Sequence, residues 1–148
     1  MESLLSVDLV KQIRQVFEKL ENPVQLYLFV SSDQEDACAP TRQLLEELLP
    51  LSDKLSMQVY DVEEDAELAR HYQVEGKAPA IVIAARDGEQ VIDYGIRYLG
   101  VPAGHEFGTL IQDLILVASR DSGLSPQLRT YIKSLTEPLH LEVFVTHT

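Results

Sequence analysis

Residues 76–98 read Gly-Lys-Ala-Pro-Ala-Ile-Val-Ile-Ala-Ala-Arg-Asp-Gly-Glu-Gln-Val-Ile-Asp-Tyr-Gly-Ile-Arg-Tyr. The unbroken apolar run Ala80–Ala85 is too short for a membrane span and reads as a central strand, covered on both faces. Arg86-Asp-Gly-Glu-Gln90 carries the Asp-Gly pair that favours a tight hairpin, so Val91–Tyr98 returns as the antiparallel partner. Residues 104–119 follow with Phe107, Leu110, Ile111, Leu114, Ile115 and Val117 at helical spacing.

Upstream the pattern changes to alternating strands and helices. Residues 7–20 place Leu9, Val10, Ile13, Val16, Phe17 and Leu20 on one helical side, with Ser6 or Asp8 as cap. Asn22-Pro23 ends that helix. Residues 24–30 read as a buried strand, Ser31–Asp36 as a polar loop, and 38–49 as a helix with Leu44, Leu45, Leu48 and Leu49 inward. Residues 55–60 alternate as a strand, and 65–72 form a short helix. Strands separated by helices imply parallel βαβ connections, and the hairpin adds antiparallel pairing, so the expected sheet is mixed. Beyond residue 121, Ser125-Pro126 opens a helix to Leu135, and 139–146 reads as a final strand.

Composition narrows the function. The chain of 148 residues carries 24 acidic and 12 basic side chains, a net charge of −12. A nucleic-acid surface needs Lys and Arg to displace counterions, and anionic lipid needs the same, so neither partner is expected. The start, Met-Glu-Ser-Leu-Leu-Ser-Val-Asp, lacks the basic and small-residue features of a secretory signal, and the expected location is cytoplasmic. With one cysteine, Cys38, no internal disulfide and no multi-cysteine metal site can form.

The tail repeats the beginning. At a constant offset of 115, Arg14/Arg129, Leu20/Leu135, Pro23/Pro138, Leu26/Leu141, Phe29/Phe144 and Val30/Val145 are identical. Most intervening pairs are similar in kind. The gapless match and the shared proline favour duplication over coincidence between two amphipathic helix-strand units. The expected organisation is one unit over 1–121 and the opening helix and strand of a second over 122–148, the chain being the early part of a longer, two-unit protein.

Three stretches carry a family resemblance: Asn22-Pro23-Val24 with the strand to Val30, Leu51-Ser-Asp-Lys-Leu55, and Tyr98-Leu-Gly-Val-Pro-Ala-Gly-His-Glu-Phe107. With a Cys-containing loop before a helix and an Ala-Pro loop before a central strand, the chain resembles the glutaredoxin-like protein disulfide oxidoreductases of thermophiles. These are built from two tandem thioredoxin-fold units. It is similar also to the N-terminal region of the flavoprotein component of alkyl hydroperoxide reductase. The likeness runs over essentially the whole chain. It implies an α/β thioredoxin fold with a mixed central sheet flanked by helices, and a C-terminal helix and strand that begin a second such unit.

The resemblance also implies a site. In this family the first unit's redox motif lies where Glu35-Asp36-Ala37-Cys38 lies here, with Glu35 at the first, attacking cysteine and Cys38 at the second. The attacking thiolate is stabilised at a helix N-terminus, and the second thiol closes the disulfide. A carboxylate cannot exchange with a thiol, so the departure removes the dithiol activity and leaves packing and docking roles. A rival register makes Cys38 the attacking thiol of a monothiol oxidoreductase and requires a three-residue insertion. A stand-alone binding module is the remaining alternative. Read from the residues alone, Cys38 is either a small buried hydrophobe or a thiol favoured by a helix start and disfavoured by Asp33, Glu35 and Asp36. Ala78 and Pro79 match the family's cis-proline loop, whose backbone pairs with an extended substrate segment, so peptide binding here needs no chemistry.

No cofactor or metal is expected. His105 and Glu106 are adjacent, point about 100° apart on a helix and lack a third ligand. Glu63-Glu64-Asp65 with Glu67 reads as a solvated helix start. The implied partners are protein thiols or disulfides and a second thioredoxin-fold unit. A homodimer through 139–146 is a further expectation, because an apolar strand must find a partner.

Overall fold

Strand β1 (Val24–Val30) is the middle of the sheet, and every residue before Val30 is buried. In the computed structural model, which describes residues 2–146, it pairs in parallel with β2 (Leu55–Asp61) and antiparallel with β3 (Ala80–Asp87). The hairpin partner β4 (Gln90–Leu99) closes the order β2-β1-β3-β4. Alternate residues of β1 enter opposite cores, as strand geometry requires. Leu26 and Leu28 join Ile81 and Ile83 beneath α1 (Val7–Phe17), α2 (Glu35–Leu48) and α4 (His105–Ser119). Tyr27 and Phe29 face the other way, against Tyr72 and Val74 beyond the short α3 (Ala66–His71). Each Leu or Phe so buried contributes about 1.5–3 kcal/mol.

The mixed sheet and the hairpin follow the sequence expectation. Helix α2 begins three residues earlier than its apolar spacing indicated, at Glu35, and runs through Pro40. Pro40 is the sixth residue of the helix and has no N–H to give the Asp36 carbonyl, so the helix continues through it with one backbone hydrogen bond missing. Acidic Glu35 and Asp36 in the first turn favour that start through the helix dipole. Strand β4 has a bulge: Ile83 faces Ile96 but Ala84 faces Asp93, with Gly95 at φ +85 between them. Arg97 bridges the bulge to Asp93 at 2.6 Å. Such a break discourages pairing along the edge strand.

The tail departs from expectation. Helix α5 (Pro126–Lys133) forms, capped by Ser125, but residues 139–146 form no strand. A strand exists only through a partner, and neither sheet edge takes these residues. His147 and Thr148, which follow the expected strand, lie outside the described residues.

The N-terminal arm is held by one carboxylate. Glu47 accepts hydrogen bonds from the Leu4 and Leu5 N–H groups at 2.9 and 3.0 Å, from the Ser3 hydroxyl at 2.8 Å and from the Gln43 amide at 2.9 Å. Partial burial pushes the Glu47 carboxyl up, but the combined donation outweighs it and holds the carboxyl at about 2, below its ordinary 4.5. The clasp is therefore fully present above pH 4.5 and is lost as the pH falls toward 2. Glu47→Gln is expected to lower stability by about 1 kcal/mol at pH 7, the low end for charged hydrogen bonds because water reaches the group. In urea unfolding the difference from the parent closes between pH 4.5 and 2; equal stability at pH 7 would show that the clasp contributes nothing.

Candidate functional site

The carboxyl ends of β1 and β2 and the start of β3 lie at one end of the sheet. The pair Phe29–Ala80 fixes this, because it sets the chain leaving β1 beside the chain entering β3. After Val30 comes Ser31, whose side chain accepts from the Asp33 N–H at 3.3 Å and shapes a single tight turn, and then α2. Before Ala80 come Ala78 and buried Pro79, joined by a cis peptide bond. The Pro79 carbonyl accepts from Gly100 N–H at 2.9 Å, which ties the chain leaving β4 to the same end.

Glu35 and Cys38 occupy the first turn of α2 but face different surroundings. Glu35 is the first helical residue and its side chain is exposed. Cys38, three residues on, is a free cysteine only 2% exposed. No hydrogen bond among the described residues joins the Glu35 carboxylate to the Cys38 sulfur. Thr41, buried one turn later, donates its hydroxyl to the Ala37 carbonyl at 2.8 Å, so this face of α2 is satisfied within the helix. A side chain on α2 that packs inward cannot also be the group that meets a partner.

Beneath the loops, the second face of the sheet is aromatic. Tyr72 lies 5.1 Å from Tyr27 and 6.1 Å from Phe29, and the Arg97 guanidinium stands 5.6 Å over the Tyr72 ring. Burial, then the neighbouring Tyr27 hydroxyl, pushes the Tyr72 phenol up to about 12. The Arg97 guanidinium holds the Asp93 carboxyl below its ordinary range. On the other face, burial and then Asp113, at 2.5 Å, push the Tyr98 phenol up. All three shifts come from packing and pairing, and none of them activates a nucleophile. Among the described residues no three His, Cys, Asp or Glu side chains come together as metal ligands. His105 and Glu106 begin α4.

A groove at this end has no counterpart in the sequence expectations. Leu99, Val101 and Ala103 line an open space of about 720 Å³, with Glu106 at its side. Leu99 and Val101 are exposed. The available signal was Gly100 and Gly104, both at positive φ, which turn the chain sharply and leave apolar neighbours in solvent.

A four-stranded mixed sheet with a cis-proline loop facing a helix start is a thioredoxin fold, and the solved structures agree. A protein disulfide oxidoreductase from Aeropyrum pernix superposes with a TM-score of 0.73 at 26% identity, over 88% of this chain and 55% of that one. The NTD_N/C domain of the Enterococcus faecalis alkyl hydroperoxide reductase AhpF superposes with a TM-score of 0.77 at 24% identity, over 90% of this chain and 62% of that one. No family model matches the chain. By sequence it is homologous to the N-terminal region of AhpF: the AhpF protein of Staphylococcus epidermidis is 28% identical over 98% of this chain. The chain spans about a quarter of the length of that relative, 25%. The chain thus has a thioredoxin fold and is similar to a disulfide oxidoreductase and to AhpF.

Burial makes the thiol slow. In the native protein, alkylation of Cys38 by iodoacetamide is expected to run at least about 100-fold slower than in urea at the same pH, since reaction must await opening of the fold. Equal rates would place the sulfur at the surface.

Proposed function

We propose that this chain is a redox-inactive thioredoxin-fold unit that docks partners for thiol–disulfide exchange carried out elsewhere. The observation that supports it best is the pair at the start of α2: a carboxylate is exposed where an attacking thiol would stand, and the one sulfur is 2% exposed. A helix N-terminus stabilises a thiolate only where a thiol is present. What remains at that end is backbone and surface: Ala78 and Pro79, the Ser31–Asp36 loop and the groove beside Leu99. An extended segment of a protein thiol or disulfide docks there through main-chain hydrogen bonds. The cytoplasm, where partner thiols are kept reduced, is the compartment that suits this role.

Residues 122–148 belong, in the same proposal, to a second thioredoxin-fold unit. Exposure at the repeat positions supports this. Ile13 and Phe17 are each 3% exposed, while Leu128 and Ile132, 115 positions later, are 42% and 45% exposed. Leu26 and Phe29 are 0% exposed, and Leu141 and Phe144 are 79% and 88% exposed. The side chains that build a core in the first copy are the ones left in water in the second. A second copy of this chain is the competing occupant of 139–146.

Two experiments test the proposal. The parent protein is expected to show no disulfide-reductase activity toward insulin, and Glu35→Cys to gain it, because the substitution restores a Cys-x-x-Cys pair at the helix start. Parent activity that disappears in Cys38→Ser would install the monothiol reading instead. For the tail, Leu141→Ser with Phe144→Ser is expected to change the urea stability of this chain by less than about 0.5 kcal/mol, as for other exposed positions. A larger loss, or a dimer in sedimentation that the double substitution dissolves, would assign the tail to this unit or to a second copy.

A further inference from the structure

This end of the sheet carries an excess of exposed carboxylates. Asp33, Glu35 and Asp36 on the loop after β1, and Glu63 and Glu64 on the loop after β2, are all exposed. None of these five carboxylates has an ion-pair or side-chain hydrogen-bond partner among the described residues. Nearby, Arg70 is already engaged by Glu75 at 3.0 Å, which leaves Lys77 as the cation of the loop before β3. The apolar groove of Leu99, Val101 and Ala103 opens at the same end, one strand beyond β3.

These features fit one kind of occupant in length and in chemistry. From β4 to β1 is two strand spacings and to β2 three, about 10 and 14 Å. An extended chain advances about 3.3 Å per residue, so five or six residues reach from the groove to both acidic loops. One residue of the tail already reaches this groove: exposed Thr146 contributes to its wall.

We propose that this end of the sheet selects an extended cationic segment, an aliphatic side chain entering the groove and Lys or Arg side chains crossing the carboxylates of the two loops. The selectivity rests on the docking role above and names the partner's chemistry. Like-signed segments are repelled, and the encounter is steered by a field that salt screens within about 8 Å at physiological strength.

The test is fluorescence anisotropy with three labelled, capped heptapeptides that alternate Val with Lys, Ser or Glu. The Lys peptide is expected to bind the full chain at least about tenfold tighter than the Ser peptide, to weaken about tenfold between roughly 50 and 500 mM salt, and the Glu peptide not to bind. The triple variant Glu35→Lys, Glu63→Lys, Glu64→Lys is expected to lose binding. The variant Glu18→Lys, Glu21→Lys, Glu89→Lys, with the same change of net charge at the opposite end of the sheet, is expected to retain it. Equal binding of the Lys and Ser peptides would overturn the selectivity and leave docking standing. Equal loss in both triple variants would overturn it as a non-specific effect of net charge. No binding of any peptide would overturn both the selectivity and the docking role.

Discussion

The double pairing of β1 is the constraint on which the rest depends. One strand, parallel to β2 on one side and antiparallel to β3 on the other, brings its own carboxyl end against the start of β3. Everything at the candidate site follows from that meeting. The chain that leaves β1 must turn into α2, and the chain that enters β3 arrives through Ala78–Pro79. Because both faces of β1 are buried, its register is not free to slip: a shift of one residue would exchange Leu26 and Leu28 with Tyr27 and Phe29 between two cores of different shape.

The same geometry separates the fold from the chemistry. A thioredoxin fold keeps its loop, its helix start and its proline whether or not a thiol stands at the first helical position. Here the position holds Glu35, a residue that a helix start accepts readily, because a carboxylate suits the positive end of the dipole. Cys38 packs inward as a small apolar side chain among satisfied neighbours. The helix start therefore stands with a carboxylate at its first position and the sulfur packed beneath it.

Much of the fold was legible in the sequence because its signals were local and redundant. Ala80–Ala85 and the Asp-Gly turn define the hairpin, and Val24–Val30 is apolar but for Gln25. The start of α2 was less legible, since Pro40 and three acidic residues resemble a loop until the pull of the helix dipole on the acidic side chains is counted. The strand expected at 139–146 rests on residue type alone. Its Leu, Val and Phe have strand character, but pairing depends on a neighbour that no property of those residues supplies. The contrast between exposed Glu35 and buried Cys38 was likewise invisible to spacing, which gives a shared helical turn but not which side of it faces the core. The groove beside Leu99 came from the turn geometry of Gly100 and Gly104 and had no periodic signature.

With Cys38 only 2% exposed, the sulfur at the start of α2 is expected to be chemically shut away while the fold is intact. Incubation of the reduced native chain with excess oxidised glutathione, followed by intact-mass spectrometry, tests this directly. The native chain is expected to keep its mass over a period in which the urea-unfolded chain converts fully to the mixed disulfide. A native chain that acquires glutathione as fast as the unfolded one would contradict the claim and would make Cys38 a working thiol.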